Sequence, residues 1–179
     1  MTGTKLIVGL GNPGKEYEGT RHNVGKYIVQ HFAETLGVQF TSDKNCESYI
    51  AKGVVQDQPI VLAYPKTYMN VSGRAVARLL KRTCGVQDMI IVLDDIETGW
   101  GHVKKAFEGG TRGHNGVKSI HSLVGSKAFT QLRVGVGRPE TGDVSDYVLG
   151  RFTVHEREEL PSVVDRAEAL LVQWIGEAS

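Results

Sequence analysis

Short apolar runs recur along the chain between segments rich in turn-forming residues. Each run is too short to make a stable helix, so each predicts a buried strand. Two of the runs are adjacent and predict a β-hairpin. The predicted strands span residues 5–10, 48–55 and 59–64 (the hairpin), 89–93 and 132–136.

Amphipathic segments separate these strands and predict helices. In the first helix, apolar side chains recur every four residues and a glycine stop follows: Val24, Ile28, Phe32, Leu36 and Gly37. Further helices are predicted over 75–83 and 116–124. A last helix opens with Thr153 and Glu156 in capping-box spacing, and Pro161 is expected to break or kink it.

The alternation of strands and helices, with no linker or repeat, predicts an α/β fold with a mixed, mostly parallel sheet flanked by helices. At 179 residues, with 40% hydrophobic and 23% charged residues, the chain has the composition of one domain with a substantial core. We therefore expect a single domain over 1–179.

Charge and cysteine content exclude several classes of protein. The formal net charge is +1, so any nucleic-acid surface must be local. Residues 101–120 carry four basic residues against one acidic residue, which indicates either a phosphate-facing surface or an ordinary solvated face.

Cys46 and Cys84 lack C-x-x-C spacing and predict neither a disulfide nor a zinc site. Without a bilayer-length apolar stretch or a signal-peptide core, we expect the cytoplasm.

Glycines cluster in loops, and the first cluster, Gly9-Leu-Gly-Asn-Pro-Gly14, matches the G-x-G-x-x-G pattern of dinucleotide-binding proteins. In those proteins a helix begins within the motif and an acidic residue follows the next strand. Here the helical period begins only near Val24, and the acidic partner is missing at a convincing end of the next strand. We therefore expect no dinucleotide cofactor, and instead a tight loop that presents Asn12 at a strand end.

His22 and Asp94 form a candidate base and orienting acid. His22 lies at the start of the first helix, where a neutral imidazole is favoured, although a lone histidine is more often a surface or capping residue. Asp94 ends a buried strand and would emerge at the same sheet edge. Ser72 and Ser119 lack a nucleophile-elbow setting, so the pattern favours activated water over a covalent intermediate.

Two further loops each carry an asparagine near a glycine, Asn70 and Asn115. Their amides could orient a carbonyl, a water or an oxyanion, and each could instead cap a helix. His114 and His121 have no acidic third partner nearby in the sequence, so we expect no metal. The combination of neutral amides with one histidine and one aspartate predicts hydrolysis of an uncharged acyl bond.

Taken together, five ordered motifs resemble the bacterial-type peptidyl-tRNA hydrolase family over Lys5 to about Gly150, with only general similarity after Phe152. The motifs are Gly9-Leu-Gly-Asn-Pro-Gly14, Tyr17-x-x-Thr-Arg-His-Asn-Val-Gly25, Lys66-Thr-Tyr-Met-Asn-x-Ser-Gly73, Asp94-Asp95 and Gly113-His-Asn-Gly-Val-Lys-Ser-Ile120. The resemblance implies an α/β enzyme, usually monomeric and metal-free, that cleaves the ester between a peptide and the 3′-terminal ribose of tRNA.

The resemblance also assigns roles to individual residues. It implies a catalytic set of His22, Asp94, Asn12 and Asn115. It implies substrate binding by Tyr17, Tyr68, Met69, Asn70 and Asn115. For tRNA it implies contacts from Lys104 and Arg133. The family's second basic position is Ala106 here, with Lys105 adjacent, and Arg112 stands where many relatives carry a small residue. We count Lys105 and Arg112 as candidate tRNA contacts.

One alternative remains, because relatives of this fold in plant organelles act in RNA splicing as binding proteins rather than as hydrolases. Fold alone does not separate the two. A pure RNA-binding module has no physical need for the complete set of a histidine, an aspartate and three asparagines, so the sequence favours the enzyme.

Overall fold

The computed structural model describes residues 3–178, which form one seven-stranded sheet with the strand order β2-β3-β4-β1-β5-β7-β6. The four central strands β4, β1, β5 and β7 run parallel, while β2, β3 and β6 pair antiparallel at the two ends. This confirms the predicted mixed sheet. The strands are β1 (Lys5–Gly9), β2 (Thr41–Asp43), β3 (Ser48–Val55), β4 (Gln58–Pro65), β5 (Met89–Asp95), β6 (Val103–Phe107) and β7 (Thr130–Gly135).

Five α-helices cover the sheet: α1 (Val24–Leu36), α2 (Ser72–Thr83), α3 (Asn115–Val124), α4 (Val144–Val148) and α5 (Val154–Ile175). One core cluster packs α1 and α5 on one face of the sheet, and a second packs α2 and α3 on the other. Successive β1 residues alternate between the clusters, with Ile7 in the first and Leu6 and Val8 in the second. The near-continuous apolar runs therefore arise because the central strands are buried on both faces.

The predicted helix ends are present in the structure. Gly37 follows α1 with a left-handed φ of 71°, and the capping box of α5 is formed reciprocally by Thr153 and Glu156. The expected break at Pro161 is wrong, because α5 continues through it as one helix of 22 residues. Pro161 removes one backbone amide donor from the helix. The apolar face of α5 nevertheless packs into the core both before and after Pro161, so the helix continues. Among the described residues, no helix is long and apolar enough to cross a membrane.

The parallel arrangement gathers four chain segments at one edge of the sheet. β1, β4, β5 and β7 all end there, so the loops that follow β1 and β4 lie beside the last residues of β5. In sheets of this kind, ligand sites form outside the carboxyl ends of the strands. The candidate residues lie at this edge.

Candidate active site

Asp94 lies between two histidines at the end of β5. The residue is 3% exposed. One oxygen, Oδ2, is 2.9 Å from His22 Nδ1, and the other, Oδ1, is 2.8 Å from His114 Nε2. We call these three residues the acid–base cluster. The structure thus brings His22 and Asp94 together and adds His114, for which sequence reasoning had found no acidic partner.

The hydrogen bonds determine which ring nitrogens carry protons. The backbone amide of Gly116 donates to His114 Nδ1 at 3.0 Å, so that nitrogen is unprotonated. His114 is therefore neutral and donates its Nε2 proton to Asp94. His22 presents Nδ1 to the other carboxylate oxygen, which leaves the Nε2 lone pair for the cleft.

Burial and charge act in opposite directions on this cluster. Burial alone would raise the pKa of Asp94, but its electrostatic interactions with the rings of His22 and His114 and the hydrogen bonds from both outweigh burial and hold that pKa well below its usual range. Burial likewise favours neutral His22, but the charge and hydrogen bond of Asp94 outweigh it, so the pKa of His22 is raised. The carboxylate thus stays ionised beside an imidazole that can accept a proton.

His22 is held by anchored neighbours on both sides. Arg21 forms a buried ion pair with Glu156 at 2.8 Å, and its guanidinium stacks over the ring of Tyr147. The side chain of Asn23 accepts a hydrogen bond from the backbone amide of Asn12 at 2.8 Å. It donates a second one to the backbone carbonyl of Asn12 at 3.0 Å. Sequence reasoning assigned no role to either neighbour.

Two glycines let α1 approach the sheet closely enough for His22 to reach Asp94. A Cβ on Gly25 would lie 2.0 Å from the Val92 carbonyl oxygen in β5, and a Cβ on Gly9 would lie 2.4 Å from the Gly25 carbonyl oxygen. No side chain fits either gap. The first glycine cluster thus serves close packing of backbone, and α1 begins ten residues or more after it.

Asn12 connects the first loop to the loop after β4. Its Oδ1 accepts a hydrogen bond from the Met69 amide at 2.7 Å. This contact fixes the orientation of the side chain and leaves the amide N–H groups as the donors that can face a ligand in the cleft.

Asn70 and Asn115 are exposed, and neither caps a helix. Asn70 lies in the 3₁₀ turn Met69–Val71, and the N-cap of α2 is Val71. Asn115 is the first residue of α3, whose N-cap is His114. The capping alternatives for both asparagines are therefore wrong. Both side-chain amides line the same cleft as His22.

The cleft has a volume of about 630 Å³. Tyr17 lies just outside its lining, where its ring packs edge-on against exposed Tyr68 with centroids 6.3 Å apart. The sequence-predicted residues that line the cleft are Asn12, His22, Tyr68, Met69, Asn70, Asp94, Arg112, Asn115 and Arg133.

The predicted basic residues do not form one patch. Exposed Lys104 in β6 lies directly opposite Arg133 in β7, and Arg112 approaches from the glycine-rich loop before α3. We call Lys104, Arg112 and Arg133 the basic rim. Lys105 alternates to the other face of β6 and pairs with Glu177. Lys105 therefore does not share the surface of Lys104, and its role as a tRNA contact stays a prediction.

Arg112 is neither free nor simply solvated. Its backbone is in the left-handed region (φ 48°), and its guanidinium contacts both carboxylate oxygens of buried Asp95 at 3.2 and 3.1 Å. Burial lowers the pKa of Arg133, and the nearby charge of Arg112 lowers it further. Two guanidinium groups facing one cleft favour an anionic ligand.

The acid–base cluster also has the composition of a metal site. Its two imidazoles and one carboxylate offer ligand atoms that lie within 4.8 Å of one another, a set that could hold a divalent transition metal ion. Sequence spacing did not predict it, because the contribution of His114 depends on tertiary structure. The same nitrogen and oxygen atoms already form two hydrogen bonds with one another. The hydrogen bond between His22 and Asp94 is the arrangement of a catalytic base and the acid that orients it.

The serines considered as nucleophiles are engaged elsewhere. Ser72 Oγ donates to the Met69 carbonyl, and Ser119 Oγ accepts from the Gly73 amide. A cleft containing an oriented imidazole, a buried carboxylate and amide donors defines a general-base hydrolase on an α/β fold.

Comparison with known proteins gives the family. A model described as peptidyl-tRNA hydrolase matches residues 6–178, beyond the end of the motif resemblance at about Gly150. A peptidyl-tRNA hydrolase from Dehalococcoides mccartyi is 44% identical over 172 residues, covering 93% of this chain and 90% of that protein. One from Brevibacillus brevis is 38% identical over 176 residues, covering 97% and 93%. The crystal structure of the Acinetobacter baumannii peptidyl-tRNA hydrolase matches with a TM-score of 0.88 at 34% identity, covering 97% of this chain and 90% of that one. The chain belongs to the peptidyl-tRNA hydrolase family.

Proposed function

We propose that the protein hydrolyses the ester bond between a peptide, or an N-blocked amino acid, and the 3′-terminal ribose of tRNA. The observation that carries this proposal is the hydrogen-bonded pair of His22 and Asp94 at the base of a cleft lined by three asparagine amides. Because peptidyl-tRNA arises during translation, we expect the protein to act in the cytoplasm. We also propose that it acts as a monomer, as the family resemblance implies.

In the proposed mechanism, His22 Nε2 removes a proton from a water molecule as the water oxygen attacks the ester carbonyl carbon. Asp94 holds the ring through Nδ1 and stabilises the imidazolium that forms. The tetrahedral intermediate then collapses, the ribose oxygen leaves with the proton from the imidazolium, and the peptide leaves as a carboxylic acid. No covalent enzyme intermediate is needed.

The amides supply the neutral hydrogen bonds that this reaction requires. We assign Asn12 and Asn115 to the developing oxyanion and the attacking water, and Asn70 with Met69 to the peptide. The orientation of Asn12 by the Met69 amide supports its role, because a donor fixed before reaction stabilises new charge at little reorganisation cost. Tyr17 and Tyr68 would contact the substrate at the edge of the cleft.

We assign the tRNA phosphates to the basic rim. Lys104 and Arg133 are cross-strand neighbours on the cleft face, and phosphate contacts of this kind position a nucleic acid without reading its sequence. Arg112 would join them through guanidinium N–H groups that Asp95 leaves free. The RNA-binding alternative is not favoured, because it gives the acid–base cluster no task.

The proposal is tested by incubating the protein with N-acetyl-aminoacyl-tRNA and with unblocked aminoacyl-tRNA, and following ester cleavage. We expect the wild type to cleave the blocked substrate preferentially and His22→Ala to lose about 10²- to 10⁴-fold in kcat, the usual contribution of a general base. His155→Ala is the matched control, because that histidine is exposed on α5. A wild type that binds tRNA without cleaving either ester would establish the RNA-binding alternative.

A further inference from the structure

Gln131 is a buried side chain in β7 that connects the basic rim to the glycine-rich loop. It is 1% exposed. Its Oε1 accepts a hydrogen bond from Arg133 Nε at 2.9 Å, and its Nε2 donates to the carbonyls of Gly109 and Gly110, both at 3.1 Å. One amide therefore holds a cleft-lining guanidinium and the start of the loop that carries Arg112.

The backbone at Gly109, the guanidinium of Arg133 and the side chain of Gln131 also pack closely together. A Cβ added to Gly109 would lie 2.3 Å from Arg133 Nη2 and 3.2 Å from the amide carbon and nitrogen of Gln131. Gly109 thus leaves the space that the guanidinium occupies. The loop backbone bounds Arg133 on one side while Gln131 fixes its Nε, so the position of the guanidinium is determined by two independent contacts.

The hydrogen-bonding pattern leaves the outer part of Arg133 available to a ligand. Arg133 uses Nε on Gln131, and its terminal nitrogens make no hydrogen bond within residues 3–178. An arginine held at Nε presents its Nη donors in a fixed direction, which reduces the rotamer freedom lost on binding an anion. Without the amide, the guanidinium would have to be ordered by the ligand itself.

Gln131 occupies this position because of strand register. It lies opposite Ala106, one alternation along from the pair of Lys104 and Arg133, and on the same face of the sheet. The small alanine stands beside a glutamine whose polar atoms are fully used within the protein.

We propose that Gln131 is a positioning residue for substrate binding, which holds Arg133 and the glycine-rich loop in the arrangement that receives a tRNA phosphate. This inference rests on the proposed function, because it requires Arg133 to contact the substrate. It predicts that Gln131 acts on binding through Arg133, and that it has little effect on the chemical step.

The test is a double-mutant cycle on hydrolysis of N-acetyl-aminoacyl-tRNA, with Gln131→Leu, Arg133→Gln and the double variant. We expect Gln131→Leu to raise KM about fivefold to tenfold with little change in kcat. In the Arg133→Gln background the same substitution should have almost no further effect, because the group it positions is gone. Gln87→Leu, at an exposed glutamine, is the matched control.

A second variant keeps the inference testable if Gln131→Leu fails to fold. Gly109→Ala retains the side-chain amide of Gln131 but directs a methyl group at Arg133 Nη2, so it should also raise KM. This effect too should disappear in the Arg133→Gln background. If Arg133→Gln raises KM while both other variants keep the wild-type value, the inference is overturned and the proposed function stands. If the wild type cleaves no blocked substrate, the proposed function itself fails.

Discussion

The acid–base cluster and the basic rim lie in the same cleft but are built differently. In the cluster, each oxygen of buried Asp94 accepts one imidazole N–H, and the second ring nitrogen of His114 is also bonded. In the rim, Lys104 and Arg112 are both exposed, although Arg112 is paired with Asp95. The cluster is complete before any substrate arrives, whereas the rim keeps unsatisfied donors for a partner.

This difference indicates how the two regions divide the work. A buried, pre-arranged network stabilises charge that forms during the reaction, so changes there should lower kcat. Exposed cations attract phosphate through a screened field, so changes there should raise KM and alter the salt dependence. Variants in each region therefore test the division directly.

The largest effect is expected for Asp94→Asn. An amide cannot accept from both imidazoles as the carboxylate does, and it cannot stabilise an imidazolium by charge. We expect kcat to fall about 10²- to 10⁴-fold, as for other orienting carboxylates. Rates should be measured with blocked aminoacyl-tRNA at saturating concentration.

Asp165→Asn is the matched control, since this aspartate is exposed on α5. Circular dichroism should give superimposable spectra for both variants and the wild type. An Asp94→Asn enzyme that is folded and keeps wild-type kcat would remove Asp94 from the mechanism.

A smaller loss is expected at His114, which supports Asp94 from the side opposite His22. We expect His114→Asn to reduce kcat about 10- to 100-fold, by analogy with the loss seen when the hydrogen-bond partner that orients a metal-binding histidine is removed. Asparagine is a good N-cap, so α3 should remain stable, whereas His114→Ala should also lose about 1 kcal/mol of unfolding free energy.

Comparing the two variants separates catalysis from helix capping. Thermal unfolding measures the capping contribution and steady-state kinetics measures the catalytic one. Equal kcat in His114→Asn and the wild type would mean that His114 only caps α3.

The sequence predicted the centre of the fold better than its margins, for physical reasons. β1, β5 and β7 are buried on both faces, so their apolar runs are visible without any partner. β6 has two consecutive lysines and an exposed phenylalanine, and it forms because β7 pairs with it. β2 and α4 are short and only partly buried, so no hydrophobic period marks them.

The candidate site shows the same distinction. His22 and Asp94 could be paired from sequence because ends of parallel strands share one edge. The contact of His114 with Asp94 depends on where α3 docks, and that of Arg112 with Asp95 depends on a left-handed residue in a loop. Neither position has a local signal, although the glycine-rich segment before Asn115 indicated a functional loop.

The pH dependence sharpens the division between the two regions. His22 must be neutral to accept a proton, and its pKa is raised above the ordinary histidine value of 6.5 because Asp94 outweighs burial. As pH falls through this raised pKa, the neutral fraction and kcat/KM should both fall, so the acid limb should lie above pH 6.5.

Removal of the Asp94 charge should reverse the shift in the pKa of His22. In Asp94→Asn only burial acts strongly on His22, so the acid limb of the residual activity should move to lower pH. Arg133→Gln should leave the limb in place. A limb that is the same in the wild type and Asp94→Asn would mean that it reports a group other than His22.

The smallest effect is expected for Lys104→Ala. Lys104 is exposed and keeps its charge hydrated, so one lost phosphate contact should raise KM only about threefold at moderate salt. Its more specific signature is the dependence of tRNA affinity on salt, because each phosphate neutralised releases condensed counterions. The slope of log Kd against log salt should fall by about 0.7 to 0.9 for one lost contact.

Lys105→Ala is the matched control, because its side chain pairs with Glu177 on the other face of β6. Equal slopes for Lys104→Ala and the wild type would remove Lys104 from the tRNA interface, whereas a reduced slope for Lys105→Ala would extend that interface around the edge strand toward α5.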